Sequence, residues 1–188
     1  MSSLSRVWSN SRRSLSRLAA QRAARLEVRR PRAAERWLRL AVALAPRFDF
    51  VHRDLCAHLR RRNDRLGAVA VAQSAVERFT ASADAWVLLG ETLLSAYRPR
   101  EALAAYDCAL GIEERAEVAM IAGELHSRES DHAAASARYA RAYAAGAGPK
   151  ALRANAEALL AAGDVQAAAQ ARAMWERETG RKWDGPDG

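Results

Sequence analysis

Residues 83–116, ADAWVLLGETLLSAYRPREALAAYDCALGIEERA, contain the pattern that decides the fold. Two segments with helical composition flank the pair Arg98-Pro99. A proline in the first turn of a helix costs no hydrogen bond, because the N–H at that position has no intrahelical partner. Small residues at Gly90 and Ala102 allow two helices to approach closely. The stretch therefore predicts a helix–turn–helix hairpin.

The same pattern recurs along the whole chain. The segments 30–34 and 98–102 both begin Arg-Pro-Arg, so they stand two periods of about 34 residues apart. Self-similarity at this period is typical of repeat proteins, in which each hairpin buries its core against its neighbours. The predicted repeats are residues 15–48, 49–82, 83–115, 116–148 and 149–182, with an arm or cap at 1–14 and a short tail at 183–188.

This repeat resembles the tetratricopeptide repeat (TPR). Trp86 stands at the first signature position, and the resemblance implies an all-α fold, a right-handed α-solenoid of stacked hairpins. Departures from the pattern are greatest in repeats one and five. Trp86 is the only tryptophan at its position, Pro46 is the only proline at a repeat end, and Arg172 replaces a signature residue in repeat five. The other signature residues of the quoted stretch are Leu89, Gly90, Ala102, Tyr106 and Ala109.

Composition limits the compartment. Two cysteines, Cys56 and Cys108, are too few for a disulfide framework and favour a reducing environment. No uninterrupted apolar run reaches the length that a bilayer requires, so we expect a cytoplasmic protein without a membrane-spanning helix. The twin arginines in segment 11–17 are not followed by an apolar core, because Arg22 and Arg25 interrupt it. An organellar targeting signal in the acid-free segment 1–26 stays open.

The charge is segregated along the chain. Residues 1–65 hold 17 arginines and 5 acidic residues, a net charge of +12, whereas residues 66–188 hold 13 basic and 17 acidic residues, a net charge of −4. Codon bias explains a preference for arginine over lysine but not this separation. The separation makes self-association of oppositely charged parts one possible partnership.

The TPR resemblance implies a concave groove lined by the first helix of each repeat. Position nine of three successive repeats is Glu91, Glu124 and Glu157, and position two is acidic in two of them. Such an acidic ladder suits a basic, partly apolar segment of a partner protein. Pairing of these glutamates with arginines such as Arg128 and Arg153 is the alternative. The expected groove residues are Asp84, Val87, Glu91, Glu117, Met120, Glu124, Glu157 and Leu160, with Arg53, Arg60 and Arg61 at the basic end.

The N-terminal segment has the pattern of a basic amphipathic helix. Leu4, Val7, Trp8, Leu15, Leu18 and Leu26 share one side of the helical wheel, and arginines lie opposite. Residues 2–13 then form a cap on repeat one, a disordered arm, or a surface for anionic lipid or nucleic acid. The last possibility is the alternative function. Its basic surface comprises Arg6, Arg12, Arg13, Arg17, Arg22 and Arg25.

Signatures of catalysis are absent from the sequence. It contains neither a phosphate-binding glycine loop nor a nucleophile elbow. His52 and Cys56 lie four apart, but Cys56 occupies a small-residue packing position and His58 falls on another face, so we expect no metal and no cofactor. The prediction is a non-enzymatic adaptor, scaffold or assembly factor for protein–protein interaction. Met174 and Trp175 are expected on an uncapped C-terminal end that also permits self-association.

Overall fold

The computed structural model describes residues 3–45, 47–48 and 50–185, with side chains from Asn10 onward. Over these residues the chain forms ten α-helices and one π-helical segment, Tyr143–Ala147, and no β-strand. Pro46 and the side chains of Leu4, Arg6, Val7 and Trp8 lie outside the described part. The helices are α1 (Ser3–Leu26), α2 (Pro31–Leu44), α3 (Phe50–Arg61), α4 (Arg65–Arg78), α5 (Ala83–Ser95), α6 (Pro99–Ile112), α7 (Ala116–Arg128), α8 (His132–Ala142), α9 (Pro149–Ala161) and α10 (Val165–Thr179).

Four of the turns that join paired helices share one conformation. Asn63, Tyr97, Ser130 and Gly163 have φ angles of 61°, 60°, 62° and 82°, and each stands one repeat after the last. A residue with positive φ ends a helix by reversing the chain, so that the following N–H groups bond to the last carbonyls of the helix. The four turns are therefore alike in backbone conformation as well as in spacing.

Three of the second helices begin with side-chain caps. Asp64, Asp131 and Asp164 accept hydrogen bonds from the backbone N–H three positions later, at 2.9, 3.2 and 3.0 Å. These bonds satisfy N–H groups that lack intrahelical partners. The capping aspartates therefore define the starts of α4, α8 and α10.

The chain divides into two compact units, residues 1–102 and 103–188. In the first unit α1 packs along α2 and also contacts α3. Ala19, Ala20, Ala41, Ala45 and Val51 form a buried cluster there. Small side chains at the contact allow α1 and α2 to lie close together.

The buried side of α1 differs from the side that the helical wheel predicts. Leu15 and Leu18 are 52% and 60% exposed, whereas Ser16, Ala19 and Ala23 are buried. The Ser16 hydroxyl donates a hydrogen bond of 2.8 Å to the Ala41 carbonyl. Small residues allow the close approach to α2, so they occupy the interface in place of the larger leucines.

Helix α1 is also continuous across the predicted boundary between positions 14 and 15. It contains 24 residues, compared with 14 in α2. The Arg12 guanidinium donates a hydrogen bond of 3.3 Å to the Ala43 carbonyl, near the end of α2. Residues of the predicted N-terminal segment and of predicted repeat one thus belong to one helix.

In the second unit α7 packs on α8, and α9 packs on α8 and α10. A Cβ added to Gly123 would lie only 2.5 Å from Cε1 of the buried Tyr139. This position therefore requires glycine. Fully buried alanines occupy the other small-residue positions of the hairpins in this unit, namely Ala135, Ala142, Ala156 and Ala168.

The C-terminal tail packs against the last hairpin. Trp183 is buried and meets Trp175 edge to face, with ring centroids 5.6 Å apart. The Trp183 backbone N–H donates to Glu176 at 2.8 Å, and the Arg172 guanidinium lies 5.3 Å from the indole centroid. Trp175 is therefore covered by the tail, contrary to the expectation of an uncapped end, while Met174 remains 43% exposed.

Candidate binding surface

The first unit brings two predicted groove residues into contact. Arg53 of α3 donates a hydrogen bond of 3.0 Å to Asp84 of α5. Both side chains are about half exposed, at 48% and 44%, so water screens the ion pair. The two positions lie on first helices of successive repeats, as the groove prediction requires.

The charges of Glu91 and Arg60 both act on the buried Cys56 in the first unit. The pKa of the Cys56 thiol is raised to about 12, mainly by burial. The Arg60 charge acts to lower this pKa and the Glu91 charge acts to raise it. Cys56 itself donates its S–H to the Ala68 carbonyl at 3.5 Å. Neither Glu91 nor Arg60 forms an ion pair with any residue that the structure describes.

A cluster that sequence reasoning missed joins α1 to α3. Glu27 contacts Arg61 and lies 3.3 Å from Nδ1 of the buried His58. Burial raises the pKa of Glu27, but hydrogen bonds from Arg61 and His58 outweigh this effect and hold it below its usual value. Nearby, burial followed by the Glu27 charge raises the pKa of Asp54. Glu27 has no periodic partner in the sequence, so only the packing of α1 reveals the cluster.

Two members of the predicted ladder act on one tyrosine in the second unit. Burial raises the pKa of Tyr139, a hydrogen bond from Ser127 lowers it, and the charges of Glu124 and Glu157 raise it further. The Tyr139 hydroxyl and the Ser127 hydroxyl are 3.4 Å apart. The charges of Glu124 on α7 and Glu157 on α9 therefore both act on this tyrosine.

Pairing within this unit differs from one glutamate to the next. Glu157 accepts a hydrogen bond of 3.1 Å from Arg153 of the same helix, and Arg153 also contacts Asp184 at 3.1 Å. Glu117 and Glu124 are exposed and form no ion pair among the described residues. Of Glu117, Glu124 and Glu157, only Glu157 therefore pairs with an arginine that the structure describes. That arginine lies on the same helix.

The apolar residues of the predicted groove are largely covered. Val87 and Met120 are only 9% and 8% exposed, and Leu160 is half-buried. Their exposed surface is too small to contribute much hydrophobic binding energy without a rearrangement. Charge dominates the exposed part of the predicted site.

The predicted basic surface separates into two groups. Arg12 is bonded to α2, and the Nε of the half-buried Arg13 lacks a hydrogen-bond partner. Arg17, Arg22 and Arg25 are exposed and form no ion pair with the part of the chain that the structure describes. The side chain of Arg6 lies outside that part.

The histidines of α3 have packing roles. His52 stacks on Phe48 with centroids 5.1 Å apart and meets Phe79 edge to face at 5.4 Å. No group of three or more His, Cys, Asp or Glu side chains with metal-binding geometry occurs among the described residues. Over the same residues, no helix combines the length and apolar character needed to cross a bilayer.

Comparison with known proteins defines the fold. No family model matches the sequence, and no curated protein matches it. Among solved structures, MamA has 14% sequence identity and a TM-score of 0.67, covering 87% of this chain and 91% of its own. YrrB, a TPR protein with an unusual peptide-binding site, has 14% identity and a TM-score of 0.61 over 86% and 85%. PilF of Pseudomonas aeruginosa has 18% identity and a TM-score of 0.59 over 88% and 75%.

These likenesses confirm two predictions from the sequence. The chain has the all-α solenoid fold of TPR proteins, and the resemblance of its repeats to the TPR extends to the three-dimensional structure. Neighbours with the TPR fold commonly mediate protein–protein interaction.

Proposed function

We propose that the protein is a non-enzymatic adaptor that binds a basic, partly apolar segment of a partner protein through the first helices of its repeats. The observation that carries the proposal is that Glu124 and Glu157 stand one repeat apart on the first helices α7 and α9 and are both exposed. Two exposed carboxylates attract a lysine or arginine side chain of a partner, because the cation interacts favourably with both negative charges.

Glu117 adds a carboxylate to the acidic surface of the second unit, and Glu91 is a separate carboxylate of the first unit. Both lie on first helices, and neither forms an ion pair among the described residues. Binding of a cation costs less free energy at a carboxylate that has no partner within the protein, since no existing ion pair must be broken. The unusual peptide-binding site of YrrB, which shares the fold, supports the same class of partner.

An affinity capture from the native host tests the proposal. Wild type is compared with E91Q/E124Q/E157Q and with the matched control E77Q/E178Q, whose glutamates are exposed on second helices. We expect a partner that wild type and the control retain and that the groove variant loses. The partner segment, made as a peptide, should then bind wild type in solution and bind more weakly at higher salt.

Equal capture by wild type and the groove variant contradicts the acidic surface as the binding site. Circular dichroism must show that all three proteins fold alike. Docking to anionic lipid or nucleic acid through the N-terminal third, the alternative from the sequence, receives no support from the comparisons.

A further inference from the structure

An open groove lies on the first hairpin of the array. It has a volume of about 410 Å³ and, among the described residues, is lined by α1 and α2 alone. Leu18 and Leu40 are 60% and 44% exposed within it, and Trp37 is 37% exposed. We call this surface the end groove; its lining residues are Leu15, Leu18, Arg22, Trp37, Leu40 and Leu44.

The first unit shows which helix borders the same surface one repeat later. There, α3 and α4 form a groove that includes Val71 and Ser74, and α2 supplies its other wall through Val42 and Ala43. Val71 and Ser74 stand one repeat after Trp37 and Leu40. Arg78 also donates a hydrogen bond of 2.7 Å to the Ala45 carbonyl at the end of α2.

The second unit repeats this arrangement. Ala171 and Met174 hold the equivalent repeat positions on α10, and they line a groove together with Leu152 of α9. The other wall comes from Ala140 of α8 and from the segment that follows it, so the preceding second helix again lies alongside. In both units, the surface formed by a hairpin is bordered by the helix that precedes it.

The end groove has no such helix within the described residues, and its chemistry specifies the helix that fits. Arg22 lines the groove, and the exposed Arg25 and Arg36 lie within one helical turn of lining residues. None of the three forms an ion pair with a described residue. The surface is thus apolar at its centre and carries positive charge at its rim.

The acidic residues of this hairpin do not compensate the charge. Glu27 is engaged with Arg61, and Glu35 is engaged with Arg39 and Arg62. The three rim arginines are therefore available to carboxylates of a partner.

A second copy of the chain suits this groove poorly. At the C-terminal end, Trp183 packs on Trp175, so the tail covers part of the last helix. Two end grooves facing one another would bring their arginines together, which opposes association.

We propose that the end groove binds an amphipathic helix of a partner protein, with an apolar stripe flanked by acidic residues, in the place that a preceding second helix would take. The stripe covers Leu18, Trp37 and Leu40, and the flanking carboxylates pair with Arg22, Arg25 and Arg36. Helix-in-groove recognition of this kind uses apolar anchors three and four residues apart.

A displayed library of helical peptides with one randomised face tests the proposal on the full-length protein. We expect the selected peptides to carry apolar residues at i, i+3, i+4 and i+7 with Asp or Glu beside them. Their affinity should fall by about tenfold or more for L18Q, for L40Q and for R22Q/R25Q/R36Q. Because Leu18 and Leu40 are exposed, these changes should leave the fold intact, which circular dichroism checks.

Matched controls lie elsewhere on the surface. L66Q changes a leucine that is 72% exposed on α4, and R177Q changes an exposed arginine of α10, so both should bind the selected peptides like wild type. E91Q/E124Q/E157Q should also bind them normally, which separates this proposal from the function proposed above. Peptides enriched in lysine or arginine, or peptides whose affinity L18Q and L40Q leave unchanged, overturn the proposal.

A vesicle assay addresses the competing source of negative charge. Wild type is floated with phosphatidylcholine vesicles that contain or lack phosphatidylserine. Failure to bind either kind is the expected result. Binding to the anionic vesicles that L18Q abolishes would assign the groove to a membrane surface and refute the helix partner.

Discussion

Replacing Gly123 by alanine tests the closest helix contact of the second unit. Alanine normally stabilises a helix by about 1 kcal/mol relative to glycine. Here its Cβ would lie 2.5 Å from Cε1 of Tyr139. Overpacking of this kind costs about 1–3 kcal/mol. We therefore expect G123A to lower the free energy of unfolding by up to about 2 kcal/mol, which is the difference between the two effects.

Gly111 supplies the matched control. It also lies in a helix, near the end of α6, but a Cβ added there meets no atom within 4 Å. The change G111A should raise stability by up to about 1 kcal/mol, because only the propensity effect remains. The same substitution should thus have opposite signs at the two glycines.

Urea unfolding followed by circular dichroism measures both variants, and the Y139A background isolates the contact. Removing the ring costs about 3–5 kcal/mol by itself. In that background G123A should become neutral or stabilising, giving a coupling energy of about 1–3 kcal/mol. If G123A stabilises the protein with Tyr139 present, or if its effect is the same in both backgrounds, the reasoning from close approach is refuted.

Three further predictions concern other parts of the chain. W183A should lower stability by about 3 kcal/mol, measured by urea unfolding, because the indole is buried; unchanged stability would mean that the tail does not hold the last hairpin. A thiol reagent should modify the exposed Cys108 rapidly and Cys56 only after denaturation, since Cys56 is buried with a pKa of about 12. Detection of both modified thiols in the native protein by mass spectrometry would contradict this. Because the pKa of Glu27 is lowered in the folded state, its stabilising contribution is present above about pH 4.5 and is lost as the pH falls through the folded value. The change E27Q should therefore weaken the acid dependence of thermal unfolding. The change D54N removes a carboxyl of raised pKa, so it should increase stability near neutral pH.

Repeat spacing was sufficient to predict the fold because it reports on backbone geometry. The alanines at Ala34, Ala68 and Ala135 are fully buried, as their positions in the frame predict. The turn at Asn63 and the cap at Asp64 also follow from local chemistry. These features depend on residues near one another in sequence, so a single sequence contains the necessary information.

The orientation of α1 and the position of Trp183 were harder to predict. A helical wheel places Leu18 inside because it is more hydrophobic than Ala19, but close helix packing favours the smaller side chain. Trp183 stands alone in a polar tail, with no periodicity to indicate that it packs on Trp175.

The candidate binding surface was predictable only in part. The glutamates at position nine follow from the repeat frame, since each stands one repeat after the last. The effect of the Glu124 and Glu157 charges on the pKa of Tyr139 depends on how helices of successive repeats pack, which no single repeat contains.

The Trp183 contact also bears on how such an array lengthens during evolution. A hairpin duplicated after α10 would separate the indole from Trp175 and expose both rings, whereas a hairpin inserted at an upstream turn leaves the contact intact. Growth of this gene by duplication is therefore expected to add units before residue 149, because Leu152 and Ala156 of α9 share the buried cluster with both tryptophans. The C-terminal segment from 149 onward would then be inherited as one piece, with the tryptophan pair as its marker in longer descendants.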